Sequence, residues 1–288
     1  MKKIISIIAA IVLTGFFIYA LTFHKKEIPV EKPGKVTATA AYEKYFGAAP
    51  SVDKGTAYAF VIYFPSKAEP GKVVPFPFFT FDEGSIKKVA VERLLGSMDI
   101  GSYLGKFIHL PIGTHLIALD DDNGTITANF SKELDTATET GIAPALVMTL
   151  HQFKGVKDVR LHVEGKESRL RNLSKNNEDS AVQQLSPPRL LSVTGMREKG
   201  AKEIEDVNAF FDRPVDVKEL KLFSVDGQQY AGDLFHLVFD MAAVLKPNDP
   251  SQFKERMQIK VRWNVIDKLG RQAEGDSVWL LEVKQHEQ

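Results

Sequence analysis

The sequence predicts an α+β domain, a small mixed sheet with two amphipathic helices, followed by an all-β sandwich-like domain. One N-terminal transmembrane helix precedes them. Three observations carry this. Residues 4–23 hold no charged side chain. Between residues 56 and 168 the apolar pattern switches between a period of two and a period near 3.6, the marks of strand and helix. Between residues 188 and 288 short β-rich runs alternate with turn residues at regular intervals, the pattern of a sandwich.

The N-terminal segment, residues 1–26, reads as a signal anchor. Lys2 and Lys3 flank the apolar run on one side, and His24, Lys25 and Lys26 on the other. About 20 residues at a rise of 1.5 Å cross a hydrocarbon core of roughly 30 Å. The run is longer than the apolar part of a cleavable signal peptide, and its exit, Tyr19-Ala20-Leu21-Thr22-Phe23, lacks a small-x-small pair. An uncleaved single-pass helix in the cytoplasmic (inner) membrane follows, with membrane contact through residues 4–23. The N-terminus is placed inside by Lys2 and Lys3 and by the short N-terminal tail. The bulk of the chain is then extracytoplasmic, or periplasmic.

Composition narrows the function. The 288 residues carry 37 Lys+Arg and 37 Asp+Glu, so no global basic field favours nucleic acid. The apolar fraction of 44% is that of globular protein. Cysteine is absent, which excludes disulfides, thiol catalysis, Cys-ligated zinc and a lipid-modified cysteine.

Residues 27–55 read as a linker, punctuated by Pro29, Pro33, Gly34 and Pro50, with room for one short helix over 38–46. The α+β domain, 56–168, begins with the dense apolar strand 58–64. Residues 72–79 form a second extended piece, which Pro75 and Pro77 confine to a sheet edge or a loop. Ser85 is placed to cap a helix carrying Ile86, Val89, Ala90, Arg93 and Leu94, and Gly96 stands where a terminating glycine belongs. Residues 115–119 and 125–130 are strands joined through Asn123-Gly124, a tight-turn signal. A second helix presents Ile142, Leu146, Leu150 and Phe153 on one face, with Pro144 in its first turn. Val159, Leu161 and Val163 alternate in a last strand. Residues 169–187 are polar and read as a linker. In 188–288 the strand candidates are 190–194, 217–225, 235–239, 258–266 and 278–283, with 235–245 open to a helical alternative.

The α+β unit resembles the GerMN domain of bacterial sporulation and germination proteins and of some envelope lipoproteins. The resemblance rests on Val61-Ile62-Tyr63-Phe64-Pro65-Ser66, Ala90-Val91-Glu92-Arg93-Leu94-Leu95-Gly96 and Leu110-Pro111-Ile112-Gly113-Thr114. It continues through Ala128-Asn129-Phe130-Ser131-Lys132-Glu133, Ala145-Leu146-Val147-Met148-Thr149-Leu150, Gln152-Phe153, Gly155-Val156-Lys157 and Val163-Glu164-Gly165. These segments span about 110 residues. One departure is the Pro- and Phe-rich stretch 71–81, where the family often has a shorter polar link. The resemblance implies a fold similar to the ring-building motifs of sporulation and secretion machines. It also implies tethering outside the membrane, action through protein contacts, and no catalytic residue set. The C-terminal region resembles bacterial Ig-like modules through Asn208-Ala209-Phe210-Phe211-Asp212-Arg213-Pro214-Val215-Asp216, with an unrelated β domain as the alternative.

No G-x-S-x-G, no S-x-x-K paired with a second motif and no H-E-x-x-H occurs. Ser131 lacks a named base and reads as a turn residue. Asp120-Asp121-Asp122-Asn123-Gly124 lacks an EF-hand's closing Glu and reads as an acidic hairpin turn. His109, His115, His151 and His162 fall on separate loop, strand and helix positions and read as surface residues rather than zinc ligands. Phe76, Phe78, Phe79 and Phe81 form an aromatic cluster. It reads either as packing across the sheet or as an exposed contact patch for a protein partner. The expectation is a non-enzymatic, membrane-anchored binding or assembly module of the envelope, with protein partners, copies of itself among them. It has no nucleic-acid partner, no metal and no cofactor. The alternative is a cell-wall or ligand-binding protein, or a hydrolase accessory, acting on envelope polymers.

Overall fold

The computed structural model describes residues 34–170, 178–236 and 238–285. The anchor expected over 1–26, with its span at 4–23, lies outside the described residues. Among the described residues no helix is long and apolar enough to cross a membrane.

The first strand pairs come from segments of very different character. Strand β2 (Thr56–Pro65) has both faces covered from Ala59 onward, as its unbroken apolar run requires. It pairs antiparallel with β3 (Val73–Thr80) and parallel with β1 (Lys35–Ala38). Pro75 and Pro77 lie opposite Tyr63 and Val61. A proline has no N–H to exchange, so the ladder bonds of this antiparallel pair fall at the intervening positions. The N–H groups of Val61 and Tyr63 consequently point away from β3. As expected from its prolines, β3 ends its sheet, in the order β1-β2-β3.

The stretch 27–55 is more than a linker. Residues 35–46 build β1 and helix α1 (Ala40–Phe46), whose Tyr42 and Phe46 are buried. Thr39 caps α1 by accepting from the Tyr42 N–H. The two aromatics outweigh the surrounding Pro and Gly, because each large ring removed from water is worth a few kcal/mol, about 1.5–3 by side-chain transfer. Likewise, within 169–187, Leu170 and Ala181 are buried and Val182 bridges β3 at Val73. Helix α4 (Glu178–Ala181) belongs to this stretch.

Helix α2 (Ile86–Leu95) buries Ala90, Val91 and Leu94. Ser85 precedes it, but its hydroxyl donates to Asp82 and makes no capping bond. Gly96 ends the helix with φ −68°, and the left-handed turn falls on Ser97 at φ 61°. Strand β4 (Leu116–Asp122) joins β5 (Thr125–Phe130) through Asn123 and Gly124, both with positive φ, 53° and 89°, as the turn signal requires. Helix α3 (Ile142–His151) is not the one-faced helix the periodicity suggests. It is buried nearly all round, since it packs against β2, α2, α4 and β6 (Asp158–Val163). Strand β6 runs parallel to β5, and the short β7 (Lys166–Glu167) follows it, giving the order β4-β5-β6-β7.

The remaining chain is all β. Strands β8 (Leu190–Arg197), β9 (Asp206–Phe211), β11 (Gly232–His236), β12 (Ala242–Pro247) and β15 (Glu282–Gln285) form one sheet, ordered β11-β12-β9-β8-β15. Strands β10 (Val215–Phe223), β13 (Gln258–Asp267) and β14 (Gln272–Leu280) form the other. Val193, Val207, Ala209 and Phe211 of the first share a core with Leu222, Ile259, Val261, Trp263 and Val265 of the second. Two sheets with one core between them make a sandwich. The alternation along β13 places its even-spaced apolar set inward, as the pattern predicts. The run 278–283 is not one strand. Leu281, fully buried, marks where the chain leaves β14 for β15 in the other sheet. The helical alternative for 235–245 is replaced by β11, a 3₁₀ turn at Val238–Asp240, and β12.

The two domains touch closely. Gly101 approaches β8 so tightly that a Cβ there would lie 1.6 Å from the Leu191 carbonyl oxygen, and its φ is +51°. Only glycine fits both requirements.

Candidate functional site

The α+β domain carries a groove of about 1150 Å³. One wall is the end of β1 with Thr37 and Ala38, and the start of β2 with Tyr58, Ala59 and Phe60. The facing wall is Leu116 to Leu119 of β4. Ile86 at the start of α2 and Phe153 just after α3 contribute apolar surface. Phe153 is 9% exposed and packs 5.7 Å from the Phe60 ring, so this surface is rigidly set.

The side chain of Gln152 builds the groove's inner limit. Its oxygen accepts from the Val61 N–H at 2.8 Å, and its amide nitrogen donates to the Val61 carbonyl. Thr149 Oγ1 accepts from the Tyr63 N–H at 3.2 Å. Two helix side chains thus satisfy the very β2 groups that the prolines of β3 turn away. Thr39 Oγ1 also donates to Gln152 at 3.0 Å. This ties α1, β2 and α3 together at one point.

Charges ring the groove. Asp121 accepts from Lys87 and from the Gly124 N–H, and the Lys87 hydrogen bond foremost holds its carboxyl below the usual carboxylate range. The Glu83 carboxylate beside the Tyr58 hydroxyl raises the tyrosine's pKa. Lys88 reaches Glu92 at 3.7 Å along the exposed helix face, and Lys154 lies at the opposite rim.

The phenylalanines singled out by the sequence fall in different environments. Phe76 is 7% exposed and packs edge-on to Phe64 and Tyr103. Phe78 packs on Phe60 with the Arg93 guanidinium 5.3 Å from its ring centre. Phe79 stacks on Phe239 at 4.2 Å and meets Tyr42 edge-on. Phe81 is 59% exposed, with Phe239 at 5.7 Å. Phe76 is therefore core, Phe78 and Phe79 are half-buried, and Phe81 alone of the four is largely open to solvent. Phe239, which holds the left-handed φ of 70°, joins the set from the β-sandwich.

The other chemistry-bearing residues serve structure. Ser131 is 3% exposed, and its hydroxyl accepts from the backbone N–H of His115 at 3.1 Å. The His115 ring nitrogen Nδ1 lies instead 3.0 Å from the Gly113 carbonyl oxygen. The Ser131 hydroxyl chiefly holds the Glu133 carboxyl below its usual range. His109 pairs with Asp99 at 2.6 Å. Among the described residues no group of His, Asp or Glu is placed to hold a metal ion.

A buried ionic cluster went unread in the sequence. Arg213, 2% exposed, donates from Nε and Nη2 to the two oxygens of Asp212, each at 3.0 Å. Its Nη1 lies 3.7 Å from Asp267, which also accepts from Arg271 Nε at 2.6 Å. Tyr103 of the α+β domain donates to Asp212 at 2.8 Å, and Arg271 donates to the Tyr45 carbonyl at 2.8 Å. Burial, then the Asp212 charge, pushes the Tyr103 hydroxyl pKa up. Burial works against the Arg213 charge, but its carboxylate neighbours together raise its pKa. The cluster pins the sandwich to the domain bearing the groove. Its signal in the sequence was Asp212-Arg213-Pro214, two opposite charges directly after an apolar strand.

Residues 61–169 match the family model Germane, described as sporulation and spore germination. The chain thus carries a GerMN-like domain over that stretch, as the segment-by-segment resemblance implies. Among solved structures, the first GerMN domain of the sporulation protein GerM from Bacillus subtilis is similar at 25% identity. That match covers 37% of this chain and 83% of that one, with a TM-score of 0.31. The tandem GerMN domains of the same protein match at 15% identity over 59% of this chain and 57% of that one, TM-score 0.31. CopC from Methylosinus trichosporium OB3b matches at 11% identity over 34% of this chain and 91% of that one, TM-score 0.23. No curated protein matches the chain.

Proposed function

We propose that this protein is a membrane-anchored, extracytoplasmic, non-catalytic module that binds or assembles with other envelope proteins. The observation that carries the reading is the GerMN-like domain at 61–169, whose family is a sporulation-related module rather than an enzyme class. The charge-free run 4–23 supports the anchor, at a length of about one bilayer crossing. The β-sandwich, held rigidly by the Tyr103–Asp212–Arg213 cluster, serves as an Ig-like spacer or second contact surface.

The full chain with a C-terminal tag, expressed in a bacterial host, tests the reading. The expected result is a tag that stays with membranes after alkaline carbonate washing and is digested when protease is added to intact spheroplasts. A tag in the soluble cytosolic fraction, or one protected until spheroplasts are lysed, overturns it.

A further inference from the structure

We infer that the groove between β1 and β4 takes an extended peptide segment of a partner protein, paired by strand addition and carrying an acidic side chain. The inference rests on the binding reading above and names the occupant of that same site.

Both walls are the last strands of their sheets: β1 in the order β1-β2-β3 and β4 in the order β4-β5-β6-β7. A terminal strand leaves a row of N–H and C=O groups without ladder partners, and an extended chain supplies both at matching intervals. Native edges are usually blunted by charge or proline. Here the acids of β4 stand at its far end, Asp120 to Asp122, while Leu116 to Leu119 carry neither. Ile117, where the β4–β5 register shifts between Leu116 and Ala118, is 48% exposed and lines the groove. Ile86, Leu116 and Leu119, each half-buried in the groove's lining, supply apolar surface for alternate side chains of the incoming strand. The prolines that guard the other side of this sheet, Pro75 and Pro77, are absent from β1.

Charge selects the occupant. Of the groove's five ionic side chains, Asp121 is paired with Lys87, and Glu83 stands beside the Tyr58 hydroxyl. Lys88, with only a 3.7 Å contact to Glu92 outside the groove, and Lys154 remain to meet a carboxylate.

A phage-displayed library of linear twelve-residue peptides, selected on the full chain in detergent micelles, provides the probe. The best peptide is synthesised and its Kd measured by fluorescence polarisation. The expected peptides alternate apolar and polar residues with at least one Asp or Glu. Ile117→Lys weakens binding about tenfold or more, as does Lys88→Glu combined with Lys154→Glu, the scale of losing one central anchor. N-methylation of alternate backbone amides of the peptide abolishes binding, and Phe81→Ser, outside the groove, leaves it unchanged. An unchanged urea midpoint certifies that the variants fold. Failure to enrich any peptide, or binding indifferent to Ile117→Lys and to N-methylation, overturns the inference. The two readings fail separately. A spheroplast-accessible chain without a groove peptide sinks the groove alone, and a cytosolic chain with one sinks the envelope reading alone.

Discussion

Replacing Arg213 with Met tests whether the buried ionic cluster holds the sandwich together. The substitution keeps most of the side chain's length and removes the charge. Asp212 loses two charge-assisted bonds of 3.0 Å, and Asp267 loses its neighbour at 3.7 Å, in a site where Arg213 and both acids are at most 3% exposed. Asp212 keeps the Tyr103 hydroxyl and the Arg189 N–H, and Asp267 keeps Arg271 and two backbone N–H groups. Breaking a buried pair by removing one partner costs about 3–5 kcal/mol. With a urea slope of about 2 kcal/mol/M for a domain of this size, the midpoint falls by about 2 M. The assay is clean because both tryptophans of the chain, Trp263 and Trp279, lie in the sandwich, so their fluorescence follows that domain. Trp263 packs on Phe211, two residues before Arg213. A midpoint within about 0.3 M of wild type, corresponding to well under 1 kcal/mol, refutes the argument.

Three further outcomes are expected. Gln152→Leu strands the N–H and C=O of Val61 and lowers thermal stability by about 2–6 kcal/mol, at roughly 1–3 per buried unpaired group, read by circular dichroism. Phe76→Ser destabilises by about 3–5 kcal/mol, whereas Phe81→Ser stays within about 0.5 kcal/mol in the same melts, because only the first empties a packed site. The carboxyl of Asp276 is held below its usual value of 3.8, first by the hydrogen bond from Arg262. A depressed carboxylate adds stability above its unfolded pKa and loses it as pH falls through the folded one. Arg262→Gln is therefore expected to return the Asp276 titration, followed by NMR, towards 3.8. Any stability lead of wild type over this variant at pH 7 is expected to shrink as the pH falls below 3.8 and through the folded pKa.

Much of both domains was legible because the signals are local. Asn123-Gly124 demands a positive-φ turn, and Ile259, Val261, Trp263 and Val265 demand a strand with one buried face, whatever surrounds them. Pro75 and Pro77 exclude a central strand through the missing N–H alone. Legibility ended where burial depends on distant partners. The α3 periodicity showed one apolar face, but elements far away in sequence cover the others. Strand β1 carries only the short run Lys35-Val36-Thr37-Ala38, and its parallel partner begins about twenty residues on, across Pro50 and Gly55. No local pattern announces such pairing.

The sequence by itself determined the class of each half, the exclusion of β3 from a sheet interior, the hairpin at Asn123-Gly124 and the GerMN resemblance. Each rests on backbone chemistry or periodicity carried within a few residues. Only the tertiary structure decided which aromatic was core and which was surface, separating Phe76 from Phe81. It alone brought Tyr103 to Asp212 across 109 positions of sequence and left the edges of β1 and β4 lining one groove. Those outcomes depend on how sheets and helices stack, and stacking is set by summed contacts between segments remote in the chain.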